Sequence, residues 1–196
     1  MTKAPNPLQQ RNIDQAAFSW ICSYRLTHAL TLTYPVAKPP AGELTWIDAK
    51  TGEITRIKPG LKSFSKSSTP LWTSSTSRTL RKNLRLLSAM VDDEVFGSNF
   101  REKQLSDRSF FFAFPSGTAV GHMLHVHMAW IVPENRFMTF ENLFADGATD
   151  TPWAKITKAG THKMDRIHDI GGWIRYCTKQ SPLEQMIISQ ELVPEK

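Results

Sequence analysis

Two histidines separated by a single residue, His125 and His127, sit in the run Leu124-His125-Val126-His127-Met128-Ala129-Trp130. The run reads as a β-strand, on which side chains alternate faces, so both imidazoles point one way while Leu124, Val126 and Met128 point the other. Such a pair forms a two-nitrogen claw for a divalent metal. Ordinary strands also carry paired histidines, so the spacing alone leaves both readings open.

A second reactive group lies near the C-terminal end. Asp169 stands where a helix N-cap is wanted, and Gly171-Gly172-Trp173-Ile174-Arg175-Tyr176-Cys177-Thr178-Lys179-Gln180 reads as the helix that follows. On that helix Tyr176 shares a face with Lys179 and Gln180, three and four residues on. A phenol beside an ammonium group is a candidate nucleophile, and an interfacial tyrosine beside a solvated lysine is the alternative.

Several elements have to position these groups. Residues 1–12 read as a flexible leader broken by Pro5 and Pro7, and Ile13, Ala16, Ala17, Trp20, Ile21 and Tyr24 then recur at helical spacing. His28 to Tyr34 is an alternating β-prone run closed by Pro35. Leu44 to Asp48 and Glu53 to Ile57 flank Ala49-Lys50-Thr51-Gly52 as a β-hairpin, and Lys62 to Ser77, rich in Ser, Thr and Lys, reads as a mobile loop and possible DNA contact that includes Trp72.

From Arg78 to Phe96 the apolar stripe Leu80, Leu84, Leu87, Val91 and Val95 predicts a helix stopped by Gly97. Its charges oppose the helix dipole: Arg78, Arg81, Lys82 and Arg85 crowd the N-terminal half, and Asp92, Asp93 and Glu94 the other. Each misplaced charge costs about 0.3–1 kcal/mol at low salt, a pattern that can persist where the basic end meets phosphate.

Phe110 to Phe114 predicts a buried strand, turned by Pro115-Ser116-Gly117 toward the histidine strand, which ends near Pro133. A partly helical segment with Phe137, Phe140, Leu143 and Phe144, a loop through Gly147 and Pro152, and a strand over 163–168 come next. Ser181-Pro182-Leu183-Glu184 offers a capping box for a short C-terminal helix within 181–196. The pattern predicts an α+β domain over 13–180, built on an antiparallel sheet with flanking helices.

In chain order, Leu32-Thr33-Tyr34-Pro35, His125-Val126-His127 and Tyr176-x-x-Lys179 resemble the three motifs of the HUH endonuclease superfamily, in particular single-tyrosine rolling-circle replication initiators of phages, plasmids and small DNA viruses. Between the motifs, Leu84 to Gly97 looks like the helix ahead of the metal strand in such initiators, and Gly172-Trp173-Ile174-Arg175-Tyr176 looks like their nucleophile helix. The resemblance covers residues 28–180.

The resemblance implies a central five-stranded antiparallel sheet of ferredoxin-like kind, with the histidines on a central strand and the tyrosine on a helix laid across it. It implies that His125 and His127 ligate Mg²⁺ or Mn²⁺ and that Tyr176 attacks a phosphodiester of single-stranded origin DNA, leaving a 5′-phosphotyrosyl link and a 3′-OH. Lys179 would hold the phosphate. Of the three tyrosines, Tyr34 ends a strand and Tyr24 falls in the apolar stripe of the first helix, so Tyr176 alone combines a polar helix face with a neighbouring cation.

One departure stands out. Related initiators carry a Glu near the end of the strand before the histidines, where this chain has Phe114-Pro115-Ser116-Gly117. Gln180 is the leading third ligand, by likeness to HUH transposases with an amide four residues after the tyrosine; His122, His168 and Asp169 are others. Thr31 and Thr33 share a strand face and can present hydroxyls beside the metal strand, or serve simply as sheet-surface threonines.

A net charge of +6 and a pI near 9.4 favour polyanionic partners, and Arg78, Arg81, Lys82 and Arg85 are the DNA-contact candidates. No Gly-x-x-x-x-Gly-Lys-Ser/Thr loop occurs, so unwinding would fall to a separate helicase. Cys22 and Cys177 suit a reducing, cytoplasmic setting, and no apolar run approaches the roughly 20 residues of a membrane span. The rivals are an HUH transposase or relaxase, and a non-catalytic DNA-binding relative. A cupin wants a Glu soon after the second histidine, whereas the first acid is Glu134; a histidine-triad hydrolase wants another alternating histidine, where Met123 and Ala129 stand.

Overall fold

The computed structural model describes residues 6–34, 44–47, 54–57, 74–103, 107–116, 124–181 and 183–192. In chain order its elements are α1 (Pro7–Cys22), β1 (His28–Thr33), β2 (Leu44–Ile47), β3 (Ile54–Ile57), α2 (Ser74–Phe96), β4 (Phe110–Ser116), β5 (His125–Ile131), α3 (Phe137–Leu143), α4 (Pro152–Ile156), β6 (His162–Arg166), α5 (Ile170–Gln180) and β7 (Ile187–Ile188). The main sheet is five-stranded and antiparallel, in the order β6-β1-β5-β4-β7. The histidine strand β5 is therefore its centre, as the resemblance implies.

Strand alternation divides the apolar residues between two layers. Leu30, Leu32, Phe111, Ala113, Val126, Met128 and Trp130 face one side, against the stripe Leu80, Leu84, Leu87, Val91 and Val95 of α2. Phe112, Phe114 and Ala129 face the other, beneath Ile21 of α1 and Ile174 and Cys177 of α5. His127 shares the second side. Gly97 ends α2 with φ +85°, a conformation that favours glycine, while its N–H donates to the Asp93 carbonyl at 2.8 Å.

Five expectations change. Pro115 and Ser116, read as the start of a turn, instead extend β4 and pair with Val126 and His125. Residues 7–12, read as part of a flexible leader, belong to α1, which starts at Pro7: proline suits the first helical turn, and Asn6 and Gln9 form a reciprocal capping box. Helix α2 begins four residues before Arg78, at Ser74. Asp92 is not a charge stranded in solvent; it is buried, and its carboxylate accepts from the backbone and hydroxyl of Ser109, while burial pushes its pKa up. In place of a C-terminal helix, two 3-10 turns bracket β7, whose Ile188 and Ile187 pair with Phe112 and Ala113. The hairpin is present, with Leu44 paired to Ile57 and Ile47 to Ile54, as a separate two-stranded sheet. Residues 62–73, Trp72 included, and His122 lie outside the described residues.

A polar chain closes the end of the sheet remote from His125. His28, fully buried against Phe137 and Phe140, meets Glu141 Oε1 at 3.2 Å through Nε2, and Arg166 Nε donates to the same oxygen at 2.5 Å. Burial pushes the His28 pKa below the ordinary 6.5, with Glu141 pulling the other way. The unfolded chain then takes up a proton near 6.5 that the folded chain resists, so this contribution to stability is whole above that value and is lost as pH falls toward the folded one. The denaturation midpoint is expected to fall between about pH 7 and 5, and less so in His28→Gln. A slope identical in the two proteins would contradict this.

Candidate active site

The site is built where α5 crosses β5. Asp169 caps the helix, accepting from Gly172 N–H at 2.9 Å. Ile174 and Cys177 anchor it on the sheet with no exposed surface, and this sets the helix rotation. Trp173 and Tyr176 are thereby laid on the histidine strand. The Tyr176 ring centroid lies 4.9 Å from that of His127, edge to face, and Trp173 lies 5.7 Å from it. Trp173 and Tyr176 stack at 5.5 Å, and the indole N–H of Trp173 donates to the Met128 carbonyl at 3.3 Å. Tyr176 retains 45% of its surface open, whereas His127 retains 3%. The two imidazoles stand 4.8 Å apart, centroid to centroid.

Strand register supplies the surroundings. Thr31 lies opposite His127 on β1, with Thr31 Oγ1 hydrogen-bonded to His127 Nδ1 at 3.1 Å; Thr33 lies opposite His125 and bonds Thr161 Oγ1 at 2.6 Å. On the other flank, β4 sets Phe114 opposite His127 and Ser116 opposite His125. The position from which an acid would reach the histidines is thus an aromatic ring and a hydroxyl. Among the described residues no group of three or more His, Cys, Asp or Glu gathers at one point.

The remaining candidates are spread more widely. Lys179 is exposed in the last turn of α5, three residues beyond Tyr176, and Gln180 ends the helix one residue later. Asp169 is committed to its cap, and His168 borders a cleft beside Tyr176. Arg78, Arg81, Lys82 and Arg85 are exposed on α2, with Arg81 meeting Glu191 at 3.3 Å. Because α2 packs on the opposite side of the sheet from α5, these four do not join the tyrosine.

The other tyrosines are unsuited to attack. Tyr34 is held by Asn83 and by an edge-on contact with Trp153, and burial pushes its pKa up to about 12. Tyr24 stacks on Phe110 at 5.3 Å and abuts Trp20 and Phe112. Both cysteines are free thiols, and burial pushes both pKa values up, so neither is poised as a thiolate.

Two imidazoles, one with its Nδ1 held by Thr31, are better matched in ligand softness to Zn²⁺ or Mn²⁺ than to Mg²⁺, and they do not by themselves select one ion. Residues that sequence reasoning underrated are Thr31, whose partner depends on strand register, and Trp173, whose spacing of three from Tyr176 already placed it on the same helix face. Comparison of the chain with family models, with curated proteins and with solved structures finds no match.

Proposed function

We propose that this protein nicks and rejoins single-stranded DNA through a tyrosyl ester on Tyr176, in the manner of an HUH endonuclease initiating rolling-circle replication. The observation that carries the reading is a half-exposed tyrosine packed on a buried histidine of the central strand, with the second histidine beside it. A half-exposed phenol fixed against a pair of histidines has little structural purpose, since an apolar residue would pack better there.

In this reading the Tyr176 oxygen bonds to the scissile phosphorus as the bond to the 3′ oxygen breaks, and that oxygen leaves as a hydroxyl with the proton given up by the phenol. A later 3′-OH reverses the exchange and joins strands. Lys179 holds the phosphate, and Trp173 keeps the phenol in place. His125 and His127 would hold Mn²⁺ or Mg²⁺, and the ion would supply Lewis-acid neutralisation of phosphate charge. Thr31 orients His127. Thr31→Val, isosteric on the strand, is expected to lower Mn²⁺ affinity and adduct formation by about 10–100-fold with an unchanged unfolding midpoint; unchanged affinity would remove Thr31 from this role.

The test is incubation with pooled single-stranded oligonucleotides and Mn²⁺, followed by a search for a denaturant-resistant protein–DNA adduct. Absence of an adduct with every divalent ion would overturn the proposal. It would favour instead a non-catalytic DNA-binding relative, the reading to which Phe114 and Ser116, in place of an acid, lend support. Origin-like single strands compared with hairpin-tipped ones separate an initiator from a transposase or relaxase. No helix among the described residues is long and apolar enough to cross a membrane. The two free thiols fit a reducing, cytoplasmic setting, and unwinding would fall to a separate helicase.

A further inference from the structure

Next to Tyr176 a cleft of about 280 Å³ opens between β1, β6 and the start of α5. Asp165, His168, Trp173 and Tyr176 line it, and the small side chain of Ala29 contributes to its wall. Its size lies near the lower end of the ~300–1,000 Å³ range of small-ligand clefts, enough for one nucleotide base and too little for a base pair. Two of its walls are aromatic, and the indole is already fixed through Met128, so little ordering is needed when a planar ring enters.

We infer that this cleft receives a guanine adjacent to the scissile phosphate; the inference rests on the nicking activity proposed above for Tyr176. Phosphate is an unsuitable occupant, because the carboxylates of Asp165 and Asp169 both line the space and the guanidinium at its border, Arg166, is held by Glu141. A base with hydrogen-bond donors on its edge is suitable. Asp165 is 62% exposed and pairs with Lys163 at 3.1 Å, itself 75% exposed. Exposed pairs of this kind contribute little, so the carboxylate can exchange its partner at small cost. Guanine alone presents two parallel N–H donors, from N1 and N2, to the two oxygens of one carboxylate. Cytosine and adenine offer a single amino group, and the N3–H of thymine is flanked by carbonyls that a carboxylate repels. Lys163, released, lies on the same strand two residues away for the neighbouring phosphate.

Five-nucleotide single strands of thymine carrying one guanine, adenine or cytosine at each position in turn provide the test, with binding to the full chain read by fluorescence anisotropy without cleavage. One guanine position is expected to bind on the order of tenfold more tightly than the same position filled by another base, a factor that Asp165→Asn removes. That substitution sits on an exposed strand residue and leaves the unfolding midpoint unchanged. Equal binding of all strands, or a guanine preference that survives Asp165→Asn, would overturn the inference. Selective guanine binding without any covalent adduct would retain the cleft and reject the nicking reading; an adduct formed with no guanine preference would do the reverse.

Discussion

Tyr176→Phe is expected to abolish the covalent protein–DNA adduct, with a fall on the order of 10⁴-fold or more, the scale on which loss of a covalent nucleophile acts elsewhere. The substitution removes one oxygen and keeps the ring that packs on His127 and stacks on Trp173, so α5 retains its seat on the sheet. No other tyrosine can take over: Tyr34 is half-buried with its pKa pushed up to about 12, and Tyr24 is packed between Phe110 and Trp20. DNA binding by the same variant should change little, since the basic residues and Trp173 are untouched. Denaturing electrophoresis of wild type and variant with labelled single strands reads both outcomes. An adduct that persists in Tyr176→Phe would remove this residue from the chemistry altogether.

The second large effect concerns the layer that holds β5 in place. Trp130→Ala is expected to cost about 3–5 kcal/mol, much of the ~5–15 kcal/mol that stabilises a typical domain. Trp130 has no exposed surface and packs on Phe111 at 4.6 Å and Phe140 at 5.3 Å, a junction of rigid rings. Among the described residues no acceptor meets its indole N–H. Trp130→Phe therefore deletes a buried donor along with part of the ring, and the relief of about 1–3 kcal/mol offsets much of the lost packing. Urea denaturation should rank the three proteins wild type, Phe, Ala, with Phe much nearer wild type. Comparable losses for Phe and Ala would show that the indole shape itself is required.

The parts of this fold that could be read in advance are those where one periodicity acts alone. Leu80, Leu84, Leu87, Val91 and Val95 fall on one helix stripe and are all buried, and the alternation around His125 and His127 places both on one sheet face beside Tyr176. Where two local signals competed, the reading went astray. Pro7 breaks a helix in its interior but starts one when Asn6 supplies the cap, and Ser181-Pro182-Leu183-Glu184 resembles a capping box although only a 3-10 turn follows. Ile187-Ile188 is too short to announce a strand and exists because the β4 edge offers partners. Thr31 had no distinguishing mark, since its bond to His127 depends on which residues β1 and β5 set opposite each other. Likewise the charge order of α2 was plain, but not that its basic residues would face away from the tyrosine.

The two outer strands have a consequence for how copies of this chain meet one another. Unpaired strand edges invite further strands and so promote aggregation. Here one border is β7, only two residues long, beside a β4 whose Pro115 carries no backbone donor. The other is β6, where Lys163, Asp165 and Arg166 are exposed charges. An incoming strand would gain too few hydrogen bonds on the first side and would have to strip water from three ions on the second. Edge addition to the main sheet is disfavoured at both of its borders, so the β1–β5–β4 centre can carry its dense aromatic packing with less risk of templating self-assembly.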